Sequence, residues 1–173
     1  MRRFTCYAIA AMVVLLSVAV AAQGQGAGGQ GRQGGGGGRQ AGPPVVAPTM
    51  IATFMDHQLV MRSNAQQNQA INKGLASGSV ADARMGVAQL RTNFTTLRTF
   101  YNSKMKADAV TIVDTGLANL DALDKMLQAP TPDVMAAQAQ AKMTAGACGA
   151  CHMTYRTGDN QTGFRFTDPS ILQ

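Results

Sequence analysis

Two cysteines and a histidine lie within five residues near the C-terminus, Cys148-Gly149-Ala150-Cys151-His152. On a helix, positions i, i+3 and i+4 share a face, so two sulfurs and an imidazole from one turn can reach a single flat ring. Cys-x-x-Cys-His is the attachment signature of c-type haem: each thiol adds to a vinyl group as a thioether, and the adjacent imidazole becomes the proximal iron ligand. The chain has three cysteines, and the third, Cys6, lies far from this pair. The residues therefore predict one covalent haem c on Cys148 and Cys151, with His152 on iron.

Other uses of the same residues fit less well. A redox dithiol belongs at a helix N-terminus after a strand, where the thiol pKa falls. A Cys148–Cys151 disulfide, which an oxidising compartment permits, leaves His152 unexplained. A zinc site from Cys148, Cys151, His152 and His57 requires adjacent Cys and His to coordinate together and lacks a second Cys-x-x-Cys. No acid–base constellation is visible, so an electron carrier is expected rather than an enzyme. A helical binding module is the plainest alternative.

The N-terminus agrees with haem attachment, which in bacteria takes place outside the cytoplasm. Arg2 and Arg3 precede an apolar run from Tyr7 to Ala22, and Ala19, Ala21 and Ala22 offer a signal-peptidase site. The run is shorter than the roughly 20 residues of a spanning helix. Residues 1–22 are thus expected to be a cleaved signal peptide, taking Cys6 with it, and the mature protein to be periplasmic. Residues 23–48 are mostly Gly, Gln, Ala and Arg, then Pro43, Pro44 and Pro48, the composition of a disordered linker. The net charge is +6, but four of the fifteen basic residues (Arg2, Arg3, Arg32, Arg39) precede residue 49. Eleven then face nine aspartates, a near balance that argues against nucleic acid as a partner. The chain contains no Glu and no Trp, for which composition offers no physical account.

Residues 49–173 read as one all-α domain. Ala83, Val87, Leu90, Phe94, Leu97 and Tyr101 alternate in steps of four and three, the rhythm of a packed helix. Val110, Val113, Leu117, Leu120 and Leu127 continue it. Met50, Phe54, His57 and Met61 give one face to an earlier helix, which turns polar at Asn64, Gln66, Gln67, Asn68 and Gln69. Thr49 is its expected N-cap, and Thr131 with Pro132 is expected to open the last helix. Helices are predicted near 49–73, 79–103, 106–128 and 132–156, with no strand. Short connections predict an up-down-up-down four-helix bundle. The first and last helices then run antiparallel, which puts the haem against residues Met50 to His57.

This pattern resembles the cytochrome c′ and cytochrome c-556 family, exported four-helix bundles with one haem c attached late in the fourth helix. The resemblance rests on Cys148 to Arg156, in which Tyr155 and Arg156 match the family's aromatic and basic residues after the motif. It covers roughly residues 49–156. Two departures stand out: Met50 to Val60 contain no Arg, and Thr157 to Gln173 extend the chain beyond the motif. The resemblance implies electron transfer to redox partner proteins, with a nitric oxide or carbon monoxide sensor or scavenger using five-coordinate iron as the alternative, and admits a homodimer. The candidate distal face is Met50, Phe54 or Met55. A methionine there gives a six-coordinate carrier of higher potential, and an apolar residue leaves an open site. His57 is a further candidate ligand, and Arg156 a candidate for the haem edge.

Overall fold

The computed structural model describes residues 43–159 and 161–172. The expected signal peptide, and the expected linker up to residue 42, lie outside them. Four helices make up most of the described chain: α1 Phe54–Ser77, α2 Val80–Ser103, α3 Ala107–Leu127 and α4 Val134–Tyr155. Each packs against the next, and α1 closes on α4.

Cross-contacts fix the directions. His57 meets Tyr101 and Ser63 meets Asn93, so α1 and α2 are antiparallel. Arg84 pairs with Asp124 and Arg98 with Asp114, which does the same for α2 and α3. Gln140 Nε2 donates to Asn119 O (3.1 Å) and Tyr155 to Asp108, which reverses α4 against α3. The up-down-up-down order follows.

Local chemistry sets the ends of the helices. Thr53, not Thr49, caps α1: its hydroxyl accepts from Asp56 N–H (3.1 Å), and the Asp56 carboxylate accepts from Thr53 N–H (2.8 Å). This reciprocal box satisfies two donors that a helix start leaves open. The first helix therefore begins at residue 54, four residues later than a cap at Thr49 implied. At its other end Gly74 does not break it, and Gly78 does, at φ 73°. A Cβ on Gly74 would lie 2.7 Å from the Ala83 backbone N, so this glycine serves the close approach of α2. Asp133, not Thr131, caps α4 by accepting from Ala136 N–H (3.0 Å).

Two segments are more ordered than the sequence pattern implied. Within the expected linker, Val45 N–H donates to Gln66 Oε1 (2.8 Å), and Gln66 Nε2 donates to Pro43 O (3.2 Å), which ties this stretch to α1. After α4 the chain forms an antiparallel pair where no strand was expected, β1 Arg156–Thr157 with β2 Arg165–Phe166, and then a 3-10 turn at Pro169–Leu172. Strands of two residues carry no readable alternation. Phe166 and Ile171 from this tail are buried on the end of the bundle, and Lys106 Nζ holds Asp168 at 2.9 Å.

Candidate functional site

The Cys-x-x-Cys-His motif occupies the last turns of α4. The inward positions before it are small: Ala137, Ala141, Thr144 and Ala147 are all buried. A helix with so little side-chain volume cannot fill the bundle against three neighbours carrying Leu, Phe and Ile. Space remains beside the motif. Met61, Asn64, Ala65 and Asn68 of α1, Phe94 and Leu97 of α2, Ile112 and Val113 of α3, and Ala147, Cys148, Cys151 and His152 of α4 line one cavity. Its volume is about 200 Å³ and it opens to solvent, so it is smaller than the roughly 300–1,000 Å³ usual for small-molecule and cofactor sites.

Both thiols are free and half-buried. Burial pushes each above its ordinary pKa; Asn68 Nδ2, 4.0 Å from Cys148 Sγ, and the Tyr101 hydroxyl, 3.8 Å from Cys151 Sγ, act in the opposite direction. A dithiol redox centre needs the reverse, a depressed thiol at a helix start. His152 is half-buried, and its pKa is lowered first by burial and then by Arg156, which favours the neutral imidazole that binds metals. Among the described residues no group of three or more His, Cys or Asp side chains is arranged to hold a metal ion.

The donor set and its setting fit haem c. Two thiols and an imidazole share one face of α4 and open on a mostly apolar cavity walled by all four helices. Cys148 and Cys151 would carry the thioethers and His152 would reach iron.

The wall facing the motif lies elsewhere on α1 than expected. Met50 and Met55 are 71% and 70% exposed, and Phe54 packs edge-on against Phe166 with ring centroids 6.0 Å apart. None of the three lines the cavity. The face beside Cys148 is the stretch Met61 to Asn68, roughly three turns further along α1. The cause is the tail. Phe166 packs against Phe54 and His57 at the end of the bundle, and Tyr155, the last residue of α4, packs against Tyr101, so the motif faces the middle of α1 instead.

His57 is buried in that end cluster, with its ring 4.5 Å from Phe166 and its Nε2 3.4 Å from the Tyr101 hydroxyl. Burial first, then His152, lowers its pKa to about 4. It too is outside the cavity lining. Tyr101 bridges His57 to Cys151 and is itself held neutral by burial. Arg156 follows α4 directly, its guanidinium 4.3 Å from the Phe164 ring centroid, while its charge still acts on His152.

Sequence patterning missed the two asparagines. Phe54, His57, Met61, Asn64, Asn68, Ile71 and Leu75 form one stripe in steps of three and four. By polarity the stripe ends at Met61, because Asn64 and Asn68 are polar, yet the spacing runs straight through them. The signal was a polar pair in register with a core stripe.

Comparison with known proteins returns no match to a family, a curated protein or a solved structure. No helix among the described residues is long and apolar enough to cross a membrane.

Proposed function

We propose that this protein is an exported monohaem c-type cytochrome whose role is one-electron transfer between partner redox proteins in the periplasm. One observation carries the proposal: two free thiols and an imidazole at i, i+3 and i+4 of α4 border a cavity walled by four helices. Haem c, when bound, supplies the one-electron couple at iron. The protein's residues do the rest. Cys148 and Cys151 anchor the ring, and His152 offers a neutral nitrogen. Phe94, Leu97, Ile112 and Val113 keep water from the site and hold its local dielectric low. The resemblance to cytochrome c′ and cytochrome c-556 agrees with this reading in helix order and in the position of the motif.

The test is expression of the full chain with haem-maturation machinery, then haem staining after denaturing electrophoresis. Haem is expected to stay with the polypeptide, and Cys148→Ala with Cys151→Ala is expected to release it. Staining that vanishes on denaturation of the parent chain would falsify the assignment.

A second reading has an observation of its own. A gas-binding cytochrome needs a ligand pocket on the side away from His152, and the cavity wall on α1 includes a buried amide whose oxygen has no partner, Asn64.

A further inference from the structure

Methionine is ordinarily core filler, because its flexible apolar side chain fits irregular gaps. This chain places it the other way round. Among the described residues the core is built from Leu, Ile, Val, Phe, Tyr and Ala, and no Leu, Ile, Phe or Tyr is exposed. The large apolar residues that do face water are Val46 and methionines. Met50, Met55, Met105 and Met153 stand at the end of the bundle that holds the start of α1, the turn between α2 and α3, and the close of α4. Met85, Met126 and Met135 stand at the opposite end, and Met143 on the outside of α4. Met61 alone of the described methionines is packed partly against the core.

Helix formation does not account for this. Met and Leu have nearly equal helix propensity, and Gln, Lys or Ala suits an exposed helical position as well without presenting a large apolar side chain to water. Met105 is not in a helix at all. It follows the C-cap of α2 at φ 55°, the left-handed region that Gly or Asn ordinarily takes there, and it is 90% exposed. Sterics disfavour that conformation for an L side chain, and too little of this one is covered for packing to offset it. What separates Met from Leu is the thioether sulfur.

A thioether is converted to a sulfoxide by oxidants, and the sulfoxide is polar. Inside a core that change disrupts packing; on the surface it meets water. Sulfur confined to the outside can therefore be oxidised while the chain stays folded. Cys148, Cys151 and His152 are half-buried against the cavity, so an oxidant from solution meets the exposed methionines more readily.

We propose that the exposed methionines are a renewable sink for hypohalous acid, consumed ahead of Cys148, Cys151 and His152. The sulfur lone pair takes the chlorine of hypochlorous acid and hydroxide leaves; water then adds its oxygen to sulfur, and chloride departs. In net terms sulfur gives up an electron pair and becomes the sulfoxide, chlorine is reduced to chloride, and a proton goes to solvent. A methionine sulfoxide reductase returns the thioether, at the expense of thiols that leave as a disulfide, with water as the other product. Nothing in this chemistry depends on what Cys148 and Cys151 carry.

The probe is hypochlorous acid, titrated into the full chain as isolated. Intact mass reads the oxygens added, peptide mass locates them, and far-ultraviolet circular dichroism reads the helices. Oxygen is expected first on the exposed methionines and later on Met61, with helix content unchanged and the peptide containing residues 148–152 unmodified until those methionines are spent. Sulfoxide reductase is expected to restore the parent mass. Replacing Met50, Met55, Met105 and Met153 together by Gln removes half of the exposed thioethers. It is expected to lower the dose that modifies half of the 148–152 peptide by roughly twofold. The same change at Met85, Met126, Met135 and Met143 is expected to do likewise, and it serves as the check if the first variant folds poorly. Loss of helix as the exposed methionines oxidise would overturn the proposal. So would modification of the 148–152 peptide before them, an unchanged dose in both variants, or oxygens that the reductase leaves in place. Whether haem is found on that peptide tests the cytochrome assignment separately.

Discussion

The α2–α3 seam and the α1–α4 seam are built in opposite ways. Between α2 and α3 the helices interlock: a Cβ on Gly116 would sit 2.1 Å from Phe94 Cε1, so the ring of one helix is seated on the bare backbone of the other. Arg84, Arg91 and Arg98, spaced by seven, reach Asp124, Asp121 and Asp114 along the outside. Toward α1 the packing thins: the buried residues of α4 before the motif are Ala137, Ala141, Thr144 and Ala147, and Ala147 shares a cavity with Met61, Asn64 and Asn68 of α1. Small side chains leave space, and amides keep that space from collapsing into an ordinary apolar core. Three helices carry the packing, and the fourth is thin where Cys148, Cys151 and His152 stand, which is the room the proposed cofactor would need.

The largest effect should come from a charge in the tight half. Leu90 on α2 is fully buried, and Leu90→Asp places an unpaired carboxylate there, at several kcal/mol against a stability of about 5–15 kcal/mol. Far-ultraviolet circular dichroism is expected to show loss of helix at room temperature. Met143→Asp, at an exposed position of α4, is expected to melt as the parent does. Folded Leu90→Asp protein would mean that the buried face of α2 is assigned wrongly.

The tight half is also the part that was legible in the sequence. Leu90, Phe94, Leu97 and Tyr101 are large and apolar, so their spacing alone announces a buried stripe. The Cys-x-x-Cys-His motif was legible for a different reason: three reactive side chains within five positions have few other uses. The wall opposite it was not. Asn64 and Asn68 look like a solvent face when residues are sorted by polarity, and only their spacing with Met61 and Ile71 places them inside. The position of the motif along α1 depended on the tail, whose buried Phe166 and Ile171 follow strands too short to show a period. Local pattern could not reveal that the bundle end was already occupied.

The next effect belongs to the occupied end, and it depends on pH. His57 has its pKa lowered from 6.5 to about 4. The unfolded chain therefore binds a proton between those values while the folded one does not, so stability is complete above about pH 6.5 and falls as pH drops toward 4. The loss reaches about 3 kcal/mol at most. Urea denaturation from pH 7 to pH 4 should show the decline, and His57→Phe should remove most of it. An equally steep decline in His57→Phe would assign the acid sensitivity to other groups.

A pair of enlarging changes then compares the seams directly. Gly116→Ala pushes a methyl against the Phe94 ring and is expected to cost about 1–3 kcal/mol. Ala147→Leu adds more volume but adds it to the cavity, and is expected to leave the melting temperature of haem-free protein unchanged or higher. Its effect should appear in haem incorporation, which is expected to fall. If Ala147→Leu destabilises the haem-free chain as Gly116→Ala does, the α4 side is packed more tightly than its residues imply.

The smallest effect should come from the α2–α3 ion pairs. The arginines are spaced by seven and their aspartates by three and seven, and the arginine side chains remain 42–52% exposed. Exposed pairs gain little, because water screens the charges and holding two long side chains in place opposes the gain. Arg91→Ala is expected to lower the melting temperature by less than about 5 °C. The difference should shrink further in about 1 M salt, where the screening length falls to roughly 3 Å. Replacing Arg84, Arg91 and Arg98 together tests whether the three act as a network. Near-additive losses would mean independent surface pairs, and a loss well beyond their sum would mean that the ladder, not only the Phe94–Gly116 contact, keeps this seam closed while the other stays open.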